Sequence, residues 1–104
     1  MNVQLKKGIL EALVLGALKK EDLYGYKLSE RVNSILSISE TALYPILRRL
    51  KMQEFLTTYS VEHNGRLRKY YRITEKGIAQ LETYTDELIE LAQIIKNFIE
   101  EVGK

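Results

Sequence analysis

Six cations are the side chains best suited to chemistry: Arg48, Arg49, Arg66, Arg68, Lys69 and Arg72. Guanidinium groups fork onto phosphate oxygens and onto the guanine edge in the major groove, so the target they suit is nucleic acid. Arg48 is the candidate for a bidentate guanine contact and Thr41 for a thymine methyl group. Tyr44 would donate its hydroxyl to a phosphate or, alternatively, pack as a rim aromatic on a neighbouring helix. Covalent catalysis finds no matching set. There is no cysteine, which removes disulfides, thiolate metal sites and thiol nucleophiles. His63 is the single histidine, beside a turn with only Glu62 near it, so neither a metal site nor a Ser/His/Asp triad drawing on Ser39 and Asp86 can be assembled. No glycine-rich phosphate loop follows a strand. The expectation is a binding protein with no enzyme activity, no metal and no cofactor.

The cations need elements to hold them. Arg48 and Arg49 fall in a helix beginning near Ser37. Taking Leu43 as origin, Ile46, Leu47 and Leu50 lie within about 60° of it, while Thr41, Pro45, Arg48 and Met52 point the other way and Tyr44 and Arg49 flank. Ser37 to Glu40 fits a capping box with Ser37 as N-cap; Ser39 is the rival. Pro45, the single proline, removes one helical hydrogen bond and should bend the helix near its reading end. The leucine pattern and the cap both precede it, so the helix does not start there. The remaining cations sit on a hairpin. Asn64-Gly65 is a type I′ turn signal between alternating runs. It pairs His63 with Arg66, Val61 with Arg68, Tyr59 with Tyr70 and Thr57 with Arg72 on one face. Leu56 with Ile73 and Thr58 with Tyr71 occupy the other face, which must be buried. Arg68, Tyr70 and Arg72 then point outward, Tyr71 points into the core, and Tyr70 is placed to stack on Tyr59.

Upstream, Leu5 to Leu18 reads as a helix apolar over most of its circumference, either central to the core or covered on a second side by a partner chain. Gly16 in it would suit a close helix crossing. A second helix opens at Tyr24-Gly25-Tyr26 and runs to about Ser34, with Tyr24 or Tyr26, Leu28 and Val32 inward and Ile35 and Leu36 closing the turn. Helix, short turn and strongly patterned helix make a helix-turn-helix. Downstream, Thr74 is a plausible N-cap for a final helix. Leu81, Tyr84, Leu88, Leu91, Ile95, Phe98 and Val102 are spaced 3, 4, 3, 4, 3, 4, an a/d seam. The seam packs either on its own core or, as favoured by a helix roughly 40 Å long at 1.5 Å per residue, on a second copy.

Composition agrees with this division. The chain has 104 residues, enough for one domain. Residues 1–77 carry fourteen Lys/Arg against eight Asp/Glu; residues 78–104 carry two against six. Such asymmetry fits either two ordinary solvated faces or a basic part facing nucleic acid and an acidic part facing away. No signal peptide or membrane span is read, and a cytoplasmic location is expected.

Leu43-Tyr44-Pro45-Ile46-Leu47-Arg48-Arg49-Leu50, followed by Arg68-Lys69-Tyr70-Tyr71-Arg72-Ile73-Thr74-Glu75-Lys76-Gly77, resembles the PadR family of bacterial transcriptional regulators. Leu15 through Leu28 resembles the family's first helices. The resemblance covers essentially the whole chain, and the lone C-terminal helix resembles the smaller size class. It implies a mostly α fold with a small β-hairpin: a winged helix-turn-helix over residues 1–74 and a dimerisation helix over 75–104. The implied function is that of a homodimeric repressor on palindromic promoter DNA, its third helix in the major groove and its wing on the backbone or minor groove. The expected DNA-binding set is Ser39, Thr41, Tyr44, Arg48, Arg49, Asn64, Gly65, Arg66, Arg68 and Lys69. Many relatives have glycine after the third helix, where this chain has Phe55, and prolines in the wing, where it has Gly65-Arg66-Leu67. Some bind flat aromatic drugs between tryptophans at the dimer interface, which implies an alternative role as sensor of a small aromatic inducer. This chain has no tryptophan. Phe98, Tyr84 and Tyr24 are the aromatics left to line such a cavity.

Overall fold

Leu10, Val14, Leu15 and Leu18 of helix α1 (Val3–Lys20) are buried at the centre of the chain, and the other elements are laid around them. The computed structural model describes residues 3–103, with side chains from Gly8 onward. The Leu5 side chain, assigned to the first apolar helix, lies outside that range. Around α1 come strand β1 (Leu23–Tyr24), helix α2 (Gly25–Asn33), helix α3 (Glu40–Met52), strands β2 (Leu56–His63) and β3 (Arg66–Ile73), and helix α4 (Glu75–Glu101). Leu28 and Val32 of α2, and Leu43, Ile46, Leu47 and Leu50 of α3, meet α1 in one core with Phe55, Leu56 and Tyr71. Each fully buried leucine contributes about 1.5–3 kcal/mol of apolar transfer, which is what holds α3 with its leucine face inward. The apolar circumference of α1 is therefore mostly the consequence of its central position. Gly16 makes no close crossing within the chain, since a Cβ there would meet nothing within 4 Å.

The sheet has three strands rather than the expected two, in the order β1-β3-β2, all antiparallel. The hairpin register is the one dictated by Asn64-Gly65, with His63 opposite Arg66 and Leu56 opposite Ile73. Both turn residues have positive φ, 52° and 79°, as a type I′ turn requires. The additional strand β1 pairs Leu23 with Tyr71 and Tyr24 with Tyr70. Ile35, expected to close the turn after α2, is instead exposed, while Leu36 packs on the core.

Ser39, not Ser37, caps α3: its hydroxyl accepts from the Ala42 N–H at 3.2 Å. The other end closes with the Phe55 N–H on the Leu50 carbonyl (2.9 Å) and the Glu54 N–H on the Lys51 carbonyl (3.0 Å), a Schellman arrangement. Its left-handed position is Glu54, φ 65°, one residue before Phe55. Thr74 caps α4 through the Gly77 N–H at 3.0 Å.

Helix α4 leaves the core part-way along. Leu81 and Tyr84 pack against the core and Leu88 is half-buried, but Leu91 is 47% exposed and Phe98 61% exposed. Ile94, Ile95, Ile99 and Val102 are exposed with them.

Candidate nucleic-acid interface

Burial of its leucines leaves α3 presenting Thr41, Tyr44, Pro45 and Arg48 to solvent. The approach of α3 to α2 is set by Asn33. Its side-chain amide donates to the Ser29 carbonyl at 2.9 Å, and its carbonyl oxygen accepts the Ile38 N–H at 2.8 Å across the turn. Lys51 Nζ donates to Thr58 Oγ1 at 3.1 Å and ties the far end of α3 to the hairpin. At the opposite end of the hairpin, Asn64, Gly65, Arg66 and Lys69 are exposed. A groove of about 370 Å³ there is lined by His63, Asn64, Arg66, Leu67 and Arg68. Among the described residues, exposed Arg48 of α3 and exposed Arg66 and Lys69 of the wing enter none of the ion pairs, which join Lys27–Glu30, Arg31–Glu21, Arg49–Glu11 and Arg72–Asp22.

Three of the six cations, Arg49, Arg68 and Arg72, are already engaged. Arg49 is turned to α1, where Nη2 donates to Glu11 Oε1; the other oxygen of Glu11 accepts the Tyr84 hydroxyl. Arg68 lies 4.0 Å over the Tyr24 ring and is half-buried. Tyr24 meets Tyr70 edge-on at 5.6 Å, and Tyr70 stacks on Tyr59 at 5.5 Å with 10° between planes. Arg72 covers the far side of Tyr59 at 4.8 Å and donates from Nε to Asp22 at 3.0 Å. The outward face of the hairpin, with Tyr24 of β1 as one rung, therefore carries a continuous cation–aromatic ladder whose Arg72 end is exposed. The Tyr59 hydroxyl donates to the same Asp22 oxygen at 2.6 Å. That hydrogen bond, more than any other influence, raises Tyr59 above the ordinary phenol pKa, and burial does the same to Tyr71, helped by the neighbouring Tyr44 phenol.

Sequence reasoning missed β1, Asp22 and Glu11. A β-type Leu-Tyr pair between Asp22 and Gly25 was the signal for the strand, and a lone acid in an apolar helix was the signal for Glu11. Among the described residues no cluster of three or more His, Cys, Asp or Glu is placed to hold a metal ion, and no helix is long and apolar enough to cross a membrane.

A three-helix core with a capped, cation-bearing helix and a hairpin wing is a winged helix-turn-helix, the architecture of a DNA-binding transcription regulator. The model of the Transcriptional regulator PadR-like family matches residues 14–83. A crystal structure of smu.1704 from Streptococcus mutans UA159 is 39% identical, covering 90% of this chain and 89% of its own, with a TM-score of 0.84. A PadR-like transcriptional regulator (BC4206) from Bacillus cereus is 32% identical over 92% of this chain and 96% of its own, with a TM-score of 0.83. An uncharacterized protein of Lysinibacillus sphaericus is 35% identical over 99 residues, 90% of this chain and 91% of its own. The chain belongs to the PadR-like family of transcriptional regulators.

Proposed function

We propose that the chain is a cytoplasmic repressor that binds a palindromic promoter site as a homodimer. The observation that supports this best is the solvent face of α3, where Thr41 and Arg48 stand opposite the buried leucines and Tyr44 beside them, with a basic wing tip on the same chain. Arg48 reads a guanine, Thr41 and Tyr44 flank it, and the capping Ser39 lies at the entering end. Asn64, Gly65, Arg66 and Lys69 hold the backbone beside the groove. Arg49 and Arg68 act from behind, through Glu11 and Tyr24. Residues 1–74 do the reading, and 75–104 join two copies through Leu88, Leu91, Ile95, Phe98 and Val102, Leu81 and Tyr84 being turned to their own core. The test is a titration of duplex from the chain's own promoter against salt. Log affinity should fall linearly with log salt, with a slope near −0.9 per phosphate neutralised. Arg66→Ala should reduce that slope by about 1, and Arg48→Ala should relax sequence preference at one position. Salt-insensitive binding would sink the reading.

A second reading rests on exposed Phe98, the aromatic of the apolar strip. Two copies of that strip could hold a flat aromatic inducer between them. A ligand bound only by the folded state raises the melting temperature, so a thermal-shift series with planar aromatics tests it.

A further inference from the structure

Glu11 is the one charged residue of α1 between Gly8 and Leu18, with its side chain only 12% exposed. A carboxylate in such a place must be paired, and removing a partner leaves its charge stranded. Its two oxygens are committed to two different helices. Oε1 takes Arg49 of α3 and Oε2 takes Tyr84 of α4. Arg49 and Arg48 are neighbours on α3, about 100° apart around the axis. The buried leucines set the roll of α3 and the direction in which Arg48 points, so the contacts of Glu11 add a tie between α3 and α4 without redirecting Arg48.

A second set of ties joins the same two helices at their near ends. Thr74, the cap of α4, donates from Oγ1 to the Glu54 carbonyl at 2.7 Å and from its N–H to the Phe55 carbonyl at 3.1 Å. Gly77 lies so tightly on Phe55 that a Cβ would overlap its carbonyl oxygen. With one tie at the base of α4 and another at Tyr84, two separated points fix the angle between α3 and α4.

We propose that Glu11 is a positioning residue that locks the reading helix to the helix joining two copies, and so sets the half-site separation a dimer accepts. This rests on the dimeric DNA-binding reading above. A one-base-pair change moves the half-sites by about 3.4 Å along the axis. A rigid α3–α4 angle rejects that displacement; a loosened one tolerates it.

The experiment selects the preferred half-site from a random duplex pool with the parent chain. Binding is then measured to an isolated half-site and to palindromes at the preferred spacing and one base pair to either side. Glu11→Gln and Tyr84→Phe are compared with the parent, with sedimentation and circular dichroism run alongside. The expected result is isolated half-site affinity within about twofold of the parent, with the preference for the best spacing reduced by about threefold or more. An unchanged spacing profile would overturn the proposal. So would an equal loss at every spacing and at the isolated half-site, which would mean that Glu11 only supports the fold. Should Glu11→Gln fail to fold, Tyr84→Phe decides, because it keeps the packed ring and removes only the hydroxyl. A parent chain that is monomeric, or binds no duplex, would overturn the dimeric reading itself, and is recognised by failure of the parent rather than of the variants.

Discussion

The Tyr59 hydroxyl and the Arg72 Nε meet on one oxygen of Asp22, at 2.6 and 3.0 Å. Asp22 lies between α1 and β1, so this carboxylate pins the outer face of the wing to the start of the helix-turn-helix. Donation to a carboxylate stabilises the neutral phenol, so Tyr59 ionises above its ordinary 10.0 in the folded chain. Its contribution is fully present below the unfolded phenol value and is lost as pH rises through the raised one. An alkaline spectrophotometric titration should find Tyr59 and Tyr71 ionising late among the seven tyrosines. Asp22→Asn should return only Tyr59 toward the ordinary range. Two late tyrosines surviving in Asp22→Asn would contradict the assignment.

Glu54 occupies a left-handed backbone position at φ 65°, where a Cβ is unwelcome. Its side chain enters no hydrogen bond or ion pair described above; the closing contacts use its backbone. Glu54→Gly should therefore stabilise the chain by about 0.5–1 kcal/mol, within the range of helix-cap optimisation. Urea unfolding should show the midpoint rising at constant slope; a lower midpoint would mean that the added backbone freedom outweighs the relieved strain.

Gly77 makes the opposite prediction at the next joint. In an ordinary helix Gly→Ala gains about 1 kcal/mol. Here the new methyl would overlap the Phe55 carbonyl oxygen and approach Ile73 Cγ1 at 2.8 Å. That carbonyl is held by the Thr74 N–H and cannot rotate away. Gly77→Ala should thus destabilise by about 1–3 kcal/mol, the usual penalty of overpacking. A gain in stability would show that α4 can shift along α3 without loss.

These joints also mark where the sequence stops being readable. The hairpin register followed from Asn64-Gly65 because a two-residue turn leaves one alternation to propagate, and Leu56 and Tyr71 then had to be the buried ends. The leucine face of α3 followed from its period. Strand β1 did not, since two residues carry no period and Leu23 and Tyr24 pair only because β3 is beside them. The helical period put Arg49 on the flank of α3 but could not name its partner Glu11, 38 residues away, nor the Tyr84 that shares Glu11 from 73 residues away. No local pattern joins three such positions, so the division of the cations into solvent-facing and tethered ones needed the fold. The choice of Ser39 over Ser37 as cap turned on a register of two residues, within the ordinary uncertainty of helix ends.

The heptad seam divides in the same way, and its two halves should answer differently to mutation. Leu81 and Tyr84 are packed on the core of their own chain, whereas Leu91, Ile95, Phe98 and Val102 are exposed along the projecting half of α4. An isolated helix end with that much apolar surface is expected to pair, as a/d seams do. Leu91→Asp should leave the chain folded and reduce its sedimenting mass to that of a monomer, because it places a charge in the proposed joint between copies and not in the core. Leu81→Ala should do the reverse, lowering stability by about 1 kcal/mol or more while leaving the dimer associated. The DNA readout then follows. A monomer reaches only one half-site and releases about half the counterions, so the log–log salt slope of Leu91→Asp should fall to roughly half that of the parent. A dimer that persists in Leu91→Asp, or a salt slope that does not change when the dimer is lost, would separate the seam from DNA binding.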